Sequence, residues 1–288
     1  MPYFPRWTVK PFAKPYVAGE ELEVALEVAK KLNRQDFTVT MDILGEHVQS
    51  KEEATQVREA YCKLYNQLAL LGRDNTVSLK LTHLGLELDP TLAKENLMTI
   101  VSSAKDYNMG LTIDMENSAC TDRTLELYQK AVDFYPKVGT VLQACLHRSM
   151  KDLDGLSSPQ LHLRICKGIY REPETIAFQK KEEIRDNYLR LAEKLLLGPG
   201  YACLATHDQD LIDRLVTFIE AHDLPHDRLE FQVLYGVPMG DRLKWLKDRG
   251  YMVRIYVPFG AAWFEYSVRR LKENPNIFGY VLGNLLKQ

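Results

Sequence analysis

Leu161-His162-Leu163-Arg164-Ile165-Cys166-Lys167, the segment Glu172 to Leu197, Gly198-Pro199-Gly200 and then Ala202-Cys203-Leu204-Ala205 read in succession as strand, helix, stop and strand. The middle segment carries Ile184, Tyr188, Leu191 and Leu195 at i, i+4, i+7 and i+11 with charged residues between them. That spacing is the buried stripe of an amphipathic helix. Pro173 suits a first helical turn, and the Gly-Pro-Gly run ends the helix. Working outward, the same alternation covers the chain. Short β-rich runs fall at Phe37–Leu44, Val77–Leu81, Gly110–Asp114, Thr140–Leu146, Leu229–Leu234 and Val253–Val257. Helical patterns fall at Lys51–Leu71, Asp89–Asn108, Asp122–Tyr135, Gln209–Asp223 and Asp241–Asp248. Eight strands alternating with helices predict an α/β fold, a (βα)8 TIM-type barrel. The alternative is a doubly wound open sheet. It is disfavoured because no G-x-G-x-x-G follows the first strand and no phosphate-loop motif occurs.

The chain has 288 residues and no low-complexity linker, so one catalytic domain is expected over 17–288. Residues 1–16 read as an irregular arm: the first fifteen contain Pro2, Pro5, Pro11 and Pro15 and three basic residues, without an acid or an apolar signal-peptide core. A formal net charge of -2 gives no reason to expect nucleic acid as a partner. Cys62, Cys120, Cys145, Cys166 and Cys203 form no C-x-x-C pair, which fits a reducing compartment without structural zinc. No H-x-H or H-E-x-x-H spacing occurs, so no metal is expected.

Barrel chemistry sits at the C-terminal ends of the strands, and every predicted strand carries polar groups there. In chain order they are Asp42 and Glu46; Lys80; Asp114 and Glu116; Gln143; Arg164 and Lys167; Thr206, His207 and Asp208; Gln232; and Tyr256. Any one of these could point outward or snorkel. Eight sets at one end would all need partners in a purely structural barrel. Near the C-terminus, Trp263–Glu273 reads as a helix with Phe264, Val268 and Leu271 on one side and Tyr266, Arg269, Arg270 and Glu273 on the other. In isolation the second face would be an ordinary solvated one. Beside the polar strand ends, its paired guanidiniums suit a carboxylate or phosphate held in bidentate fashion.

These residues resemble the proline dehydrogenase family. The matching segments are Asp42-Ile43-Leu44-Gly45-Glu46, Ser78-Leu79-Lys80-Leu81, Arg164-Ile165-Cys166-Lys167-Gly168-Ile169-Tyr170 and Ala205-Thr206-His207-Asp208. They continue with Glu230-Phe231-Gln232-Val233-Leu234-Tyr235-Gly236, Arg254-Ile255-Tyr256-Val257-Pro258 and Tyr266-x-x-Arg269-Arg270-Leu271-x-Glu273. The resemblance implies a distorted barrel whose C-terminal helix caps the strand ends. It implies FAD held by Gln143, Arg164, Lys167, Gly168, Thr206, His207, Gln232 and Glu273. Lys80, Arg269 and Arg270 would hold the carboxylate of L-proline. Asp114, Tyr170, Leu234 and Tyr256 would line its ring, with Glu46 supporting the charges. The implied reaction passes a hydride from C5 of L-proline to FAD N5, giving Δ1-pyrroline-5-carboxylate in the first step of proline catabolism. A membrane quinone would take the electrons, and a separate pyrroline-5-carboxylate dehydrogenase would take the product. A cytoplasmic, peripherally membrane-associated, monofunctional enzyme is the expectation.

Two departures stand out. Asp208 occupies a position where the family often has Asn, and Ile169 and Arg171 flank Tyr170 where Ala and Trp are common. The alternatives are a related flavin enzyme acting on hydroxyproline or a folate, and a non-catalytic barrel that binds a small carboxylate.

Overall fold

Alternation within the strands sets the architecture. Val39 and Met41, Val77 and Leu79, Leu111 and Ile113, Leu163 and Ile165, and Val253, Ile255 and Val257 are buried in one core cluster with apolar helix residues. The residues between them, among them Ser78, Arg164 and Arg254, bond to one another across the lumen. Successive strand side chains point to opposite faces. The apolar set therefore builds the sheet–helix layer and the polar set fills the barrel.

The structure is a computed structural model that describes the chain over residues 15–273 and its side chains over residues 15–268. In chain order the elements are α1 (Leu22–Asn33), β1 (Thr38–Ile43), α2 (Lys51–Ala69), β2 (Thr76–Leu79), α3 (Pro90–Asp106), β3 (Gly110–Ile113), α4 (Thr121–Phe134) and β4 (Val138–Gln143). They continue with α5 (Ser149–Leu156), β5 (His162–Cys166), α6 (Lys181–Leu197), β6 (Tyr201–Ala205), α7 (Gln209–Ala221), β7 (Leu229–Leu234), α8 (Arg242–Asp248), β8 (Met252–Phe259) and α9 (Trp263–Glu273). The eight strands are parallel and close in sequence order, with β8 pairing back onto β1 from Thr38↔Arg254 to Ile43↔Phe259. The (βα)8 barrel predicted from the strand–helix alternation is the observed fold.

The ends of the chain make it an unusual barrel. α1 packs against β1 and β8, closing the outer ring where a helix following β8 would otherwise lie. Its Asn33 exchanges two 2.9 Å hydrogen bonds with Asn75, just before β2. α9 is thereby released to the opposite end. Trp263 and Tyr266 pack there with Val17 and Leu44, and Phe264 and Val268 lie against that cluster.

Three helix starts carry a side-chain cap. Ser50 caps α2, Asp89 caps α3 with Pro90 behind it, and Asp208 caps α7.

The sequence reading differs at several boundaries. The helix expected over Glu172–Leu197 begins only at Lys181. Pro173 instead heads a turn that accepts from Ile176 and Ala177 N–H. The residues after it are drawn onto the loop following β4, with Leu146 and Ala177 forming a bridge. The apolar stripe starts at Ile184, so periodicity never supported the first two turns. The strand expected over Thr140–Leu146 ends at Gln143. α1 and α5 were not anticipated. Residues 1–14 of the expected arm lie outside the described residues, while Tyr16 is buried.

Candidate active site

The C-terminal strand ends surround a cavity of about 1110 Å³. Drug-sized pockets run to about 300–1,000 Å³, so this one has room for a large ligand. Of the sixteen residues that the resemblance assigns to substrate or cofactor, thirteen line it: Glu46, Lys80, Asp114, Gln143, Arg164, Lys167, Gly168, Tyr170, Thr206, His207, Gln232, Leu234 and Tyr256. The other three, Arg269, Arg270 and Glu273, have side chains outside the described residues. α9 reaches the cavity through Glu265 and Tyr266, and Ala262 just before it also lines the wall.

The floor is a buried charge cluster. Lys80, one residue past β2, donates to Asp42 Oδ2 at 3.2 Å and Asp114 Oδ2 at 3.4 Å. Burial opposes its ammonium, but the two carboxylates outweigh burial and hold its pKa well above the ordinary lysine value. Arg164 Nη1 donates to Asp114 Oδ1 at 2.6 Å, and Tyr256 OH donates to Asp114 Oδ2 at 2.8 Å. Ser78 Oγ adds a further bond to Asp114 at 2.7 Å. Burial would raise the Asp114 pKa, but the Lys80 and Arg164 charges win and lower it. Asp42 goes the other way: burial dominates over Lys80 and pushes it up to about 6. The difference is coordination. Asp114 has four donors, whereas Asp42 Oδ1 is buried without a hydrogen-bond partner.

The walls are shaped by close backbone approach. Gly168 has φ of +96°, and a Cβ there would lie 2.3 Å from Cys145 Sγ. Gly45 lies under the His83 ring, which would meet a Cβ at 2.1 Å. Burial, with the Lys80 charge, lowers His83 to about 4, so its imidazole is neutral. His207 Nε2 accepts from Leu234 N–H at 2.9 Å, which ties the loop after β6 to the end of β7.

Both departures in sequence have a structural account. Asp208 accepts from Lys167 Nζ at 2.5 Å and lies 3.4 Å from Arg185 Nη2, so its added charge is neutralised at the rim. Those cations, with helix capping, outweigh burial and lower its pKa. Arg171 is exposed and does not line the cavity, whereas Ile169 does.

Glu116, counted among the strand-end charges, also turns away from the cavity. It is buried and accepts from Thr82 N–H and Oγ1, fastening the short helix Thr82–Leu84. Sequence reasoning did not pick out His83 or Ala262 as lining residues.

The chemistry of this donor set suits a polyanionic or heteroatom-rich ligand. Arg164 is buried yet its Nη2 has no hydrogen-bond partner. A buried guanidinium N–H without an acceptor is costly, and the same guanidinium lines the cavity. Gly168 is required by its positive φ and by its close packing on Cys145. Among the described residues no group of three or more His, Cys, Asp or Glu is placed to hold a metal ion.

Comparison with known proteins agrees with this geometry. A family model described as Proline dehydrogenase matches residues 25–280. The chain is 38% identical over 276 residues to Proline dehydrogenase 1 of Bacillus subtilis (strain 168), covering 96% of this chain and 91% of that protein. It is 35% identical over 280 residues to Proline dehydrogenase of Deinococcus radiodurans, covering 96% and 90%. Among solved structures it resembles proline utilization A (PutA) from Bdellovibrio bacteriovorus inactivated by N-propargylglycine. There the TM-score is 0.84 and the identity 28%, over 92% of this chain and 33% of the PutA chain.

Proposed function

This chain belongs to the proline dehydrogenase family, and from that premise we propose that it oxidises L-proline to Δ1-pyrroline-5-carboxylate with FAD as its resident cofactor. The observation that carries the reading is convergence. Residues from the ends of all eight strands meet around one cavity whose floor holds a buried guanidinium with an unpaired N–H.

FAD would be held by Gln143, Arg164, Lys167, Gly168, Thr206, His207 and Gln232, with Glu273 added from α9. When bound, it supplies the hydride acceptor for C5 of proline, with a quinone as the onward electron acceptor.

The chain's own residues bind and orient the substrate. Lys80, with Arg269 and Arg270, would hold the carboxylate, and Glu46 would balance their charge. Leu234, Tyr170 and the Tyr256 ring would enclose the pyrrolidine ring, limiting its rotation and excluding water. Tyr256 OH is committed to Asp114, which fixes the ring plane. The substrate amine must lose its proton for its lone pair to assist hydride departure, so kcat/KM should rise with pH. Most of the protein's contribution on this reading is positioning and electrostatics. A cytoplasmic location with peripheral contact to a quinone-bearing membrane and hand-over of product to a separate pyrroline-5-carboxylate dehydrogenase belong to the same proposal.

The test is the absorbance spectrum of the purified protein followed by anaerobic L-proline. A flavin spectrum that bleaches is the expected result. A flavin untouched by proline would redirect the search to another reductant. No flavin, even after incubation with FAD, would sink the oxidoreductase reading. Arg270→Ala should raise the KM for proline strongly while flavin remains bound.

A further inference from the structure

Below the cavity, the lumen continues as an unbroken polar column. Gln232 has both ends of its amide engaged: Oε1 accepts from Arg164 Nε at 2.6 Å, and Nε2 donates to Glu230 Oε1. Glu230 is only 1% exposed. Its carboxylate also accepts from Arg254 Nε at 2.8 and 3.0 Å and from Tyr201 OH at 3.2 Å. Arg254 is anchored in turn by the Asp74 carbonyl at 2.7 Å and the Asp74 carboxylate at 2.9 Å.

The logic of this column lies in its hydrogen-bonding types. An ionised carboxylate only accepts, whereas an amide has one accepting and one donating end. Burial would favour protonated Glu230, but Arg254 outweighs it and keeps the carboxylate ionised. Gln232 must therefore turn its NH2 toward Glu230 and its carbonyl toward Arg164. The reverse orientation would set oxygen against oxygen at Glu230 and N–H against N–H at Arg164. Arg164 is then held on Nε by Gln232 and on Nη1 by Asp114 and Ser78. Only Nη2 is left over.

We infer that Glu230, secured by Arg254, is a positioning residue for the site above it: it sets the orientation of the Gln232 amide and thereby fixes the pose in which Arg164 lines the cavity that the ligand fills. The identity of that ligand rests on the flavin reading; the pose of the guanidinium does not.

Removing Glu230 alone would take away the buried partner of Arg254 and confuse positioning with unfolding. The informative variant is Glu230→Met/Arg254→Met, which removes both charges and retains volume. Glu230→Gln serves as rescue, because its amide oxygen still reaches Arg254 and Gln232. The first readout is the NMR resonance of the Arg164 Nε–H, assigned by its absence in Arg164→Lys. A short hydrogen bond to the Gln232 oxygen should make it slow to exchange in the parent protein. In the folded double variant it should move to the position of solvated arginines, and Glu230→Gln should restore it. In the flavin-loaded enzyme the double variant should lower kcat by roughly 10- to 100-fold, the scale of small misplacements. The KM for proline should stay nearly constant and the flavin absorption envelope should shift. A folded double variant with an unmoved resonance and unchanged kcat would overturn the inference. Failure of the parent protein to bind flavin would overturn the cofactor reading and leave the resonance test standing.

Discussion

The two ends of the barrel lumen are built from the same residue types and behave oppositely. At the N-terminal end, Arg254, Glu230 and the exposed Asp74 form a charge cluster in which no buried side-chain atom is without a partner. At the C-terminal end, Lys80, Asp42, Asp114 and Arg164 form a cluster that leaves Asp42 Oδ1 and Arg164 Nη2 buried and unmatched. Burial penalises both sets of charges. The lower set is compensated within the protein, and the upper set is compensated only in part. The contrast is between a saturated ion pair below and a cluster above that keeps unmatched groups and lines the cavity.

The largest expected effect breaks the lower cluster. Glu230→Ala removes the buried partner of Arg254, leaving it only the exposed Asp74 carboxylate, and should cost about 3–5 kcal/mol of stability, read by urea denaturation. A loss under 1 kcal/mol would mean that the lower end is not the saturated one.

The next tests the upper cluster by pH. Asp42 has its ordinary value of 3.8 in the unfolded chain and is raised to about 6 when folded. Its contribution is therefore full below pH about 4, falls as pH rises toward 6, and is flat above that. Two pKa units at 1.36 kcal/mol each give roughly 3 kcal/mol. The difference in stability between the parent and Asp42→Asn should reveal that slope. Parallel curves through this window would place Asp42 with the fully compensated groups.

Lys80→Met should reduce kcat/KM by roughly 10- to 100-fold, from loss of a charged hydrogen bond worth about 1.5–3 kcal/mol. Its effect on stability should be smaller than that of Glu230→Ala, because Asp42 can take up a proton in place of the lost cation. Equal destabilisation would erase the distinction between the two ends.

The smallest effect is at the rim. Asp208→Asn keeps the helix cap and loses the Lys167 pair, so stability should change by no more than about 1 kcal/mol. A larger change in thermal unfolding would extend the tightly compensated region out to the cavity edge.

Much of this was legible in the sequence. Strand–helix alternation was enough for the barrel, because eight β-rich runs with helical patterns between them leave few topologies. The polar strand ends pointed to the end of the barrel where the cavity lies, and the thirteen described residues that the resemblance assigns line it. The Glu230–Arg254 pair was also within reach. Glu230, Gln232 and Leu234 alternate along one strand and Arg254 and Tyr256 along the next, so each set shares a face. What the pattern lacked was depth. Glu230 and Arg254 sit one layer below the residues at the mouth, and a one-dimensional pattern does not say which polar groups on an inward face meet one another.

Local chemistry within the chain therefore determined which segments are strands, which face of each is polar, and where the catalytic end lies. These depend on periodicity, capping and turns among near neighbours. The tertiary structure decided which charges are satisfied. Residues 172–180 lie on the loop after β4 instead of extending α6, α1 closes the ring where α9 leaves it, and Glu116 serves the turn at Thr82 instead of the cavity. Asp42 and Asp114 share one lysine yet have opposite pKa shifts. Each outcome depends on groups distant in sequence competing for the same few donors and acceptors, and only the assembled barrel brings those groups within hydrogen-bond distance.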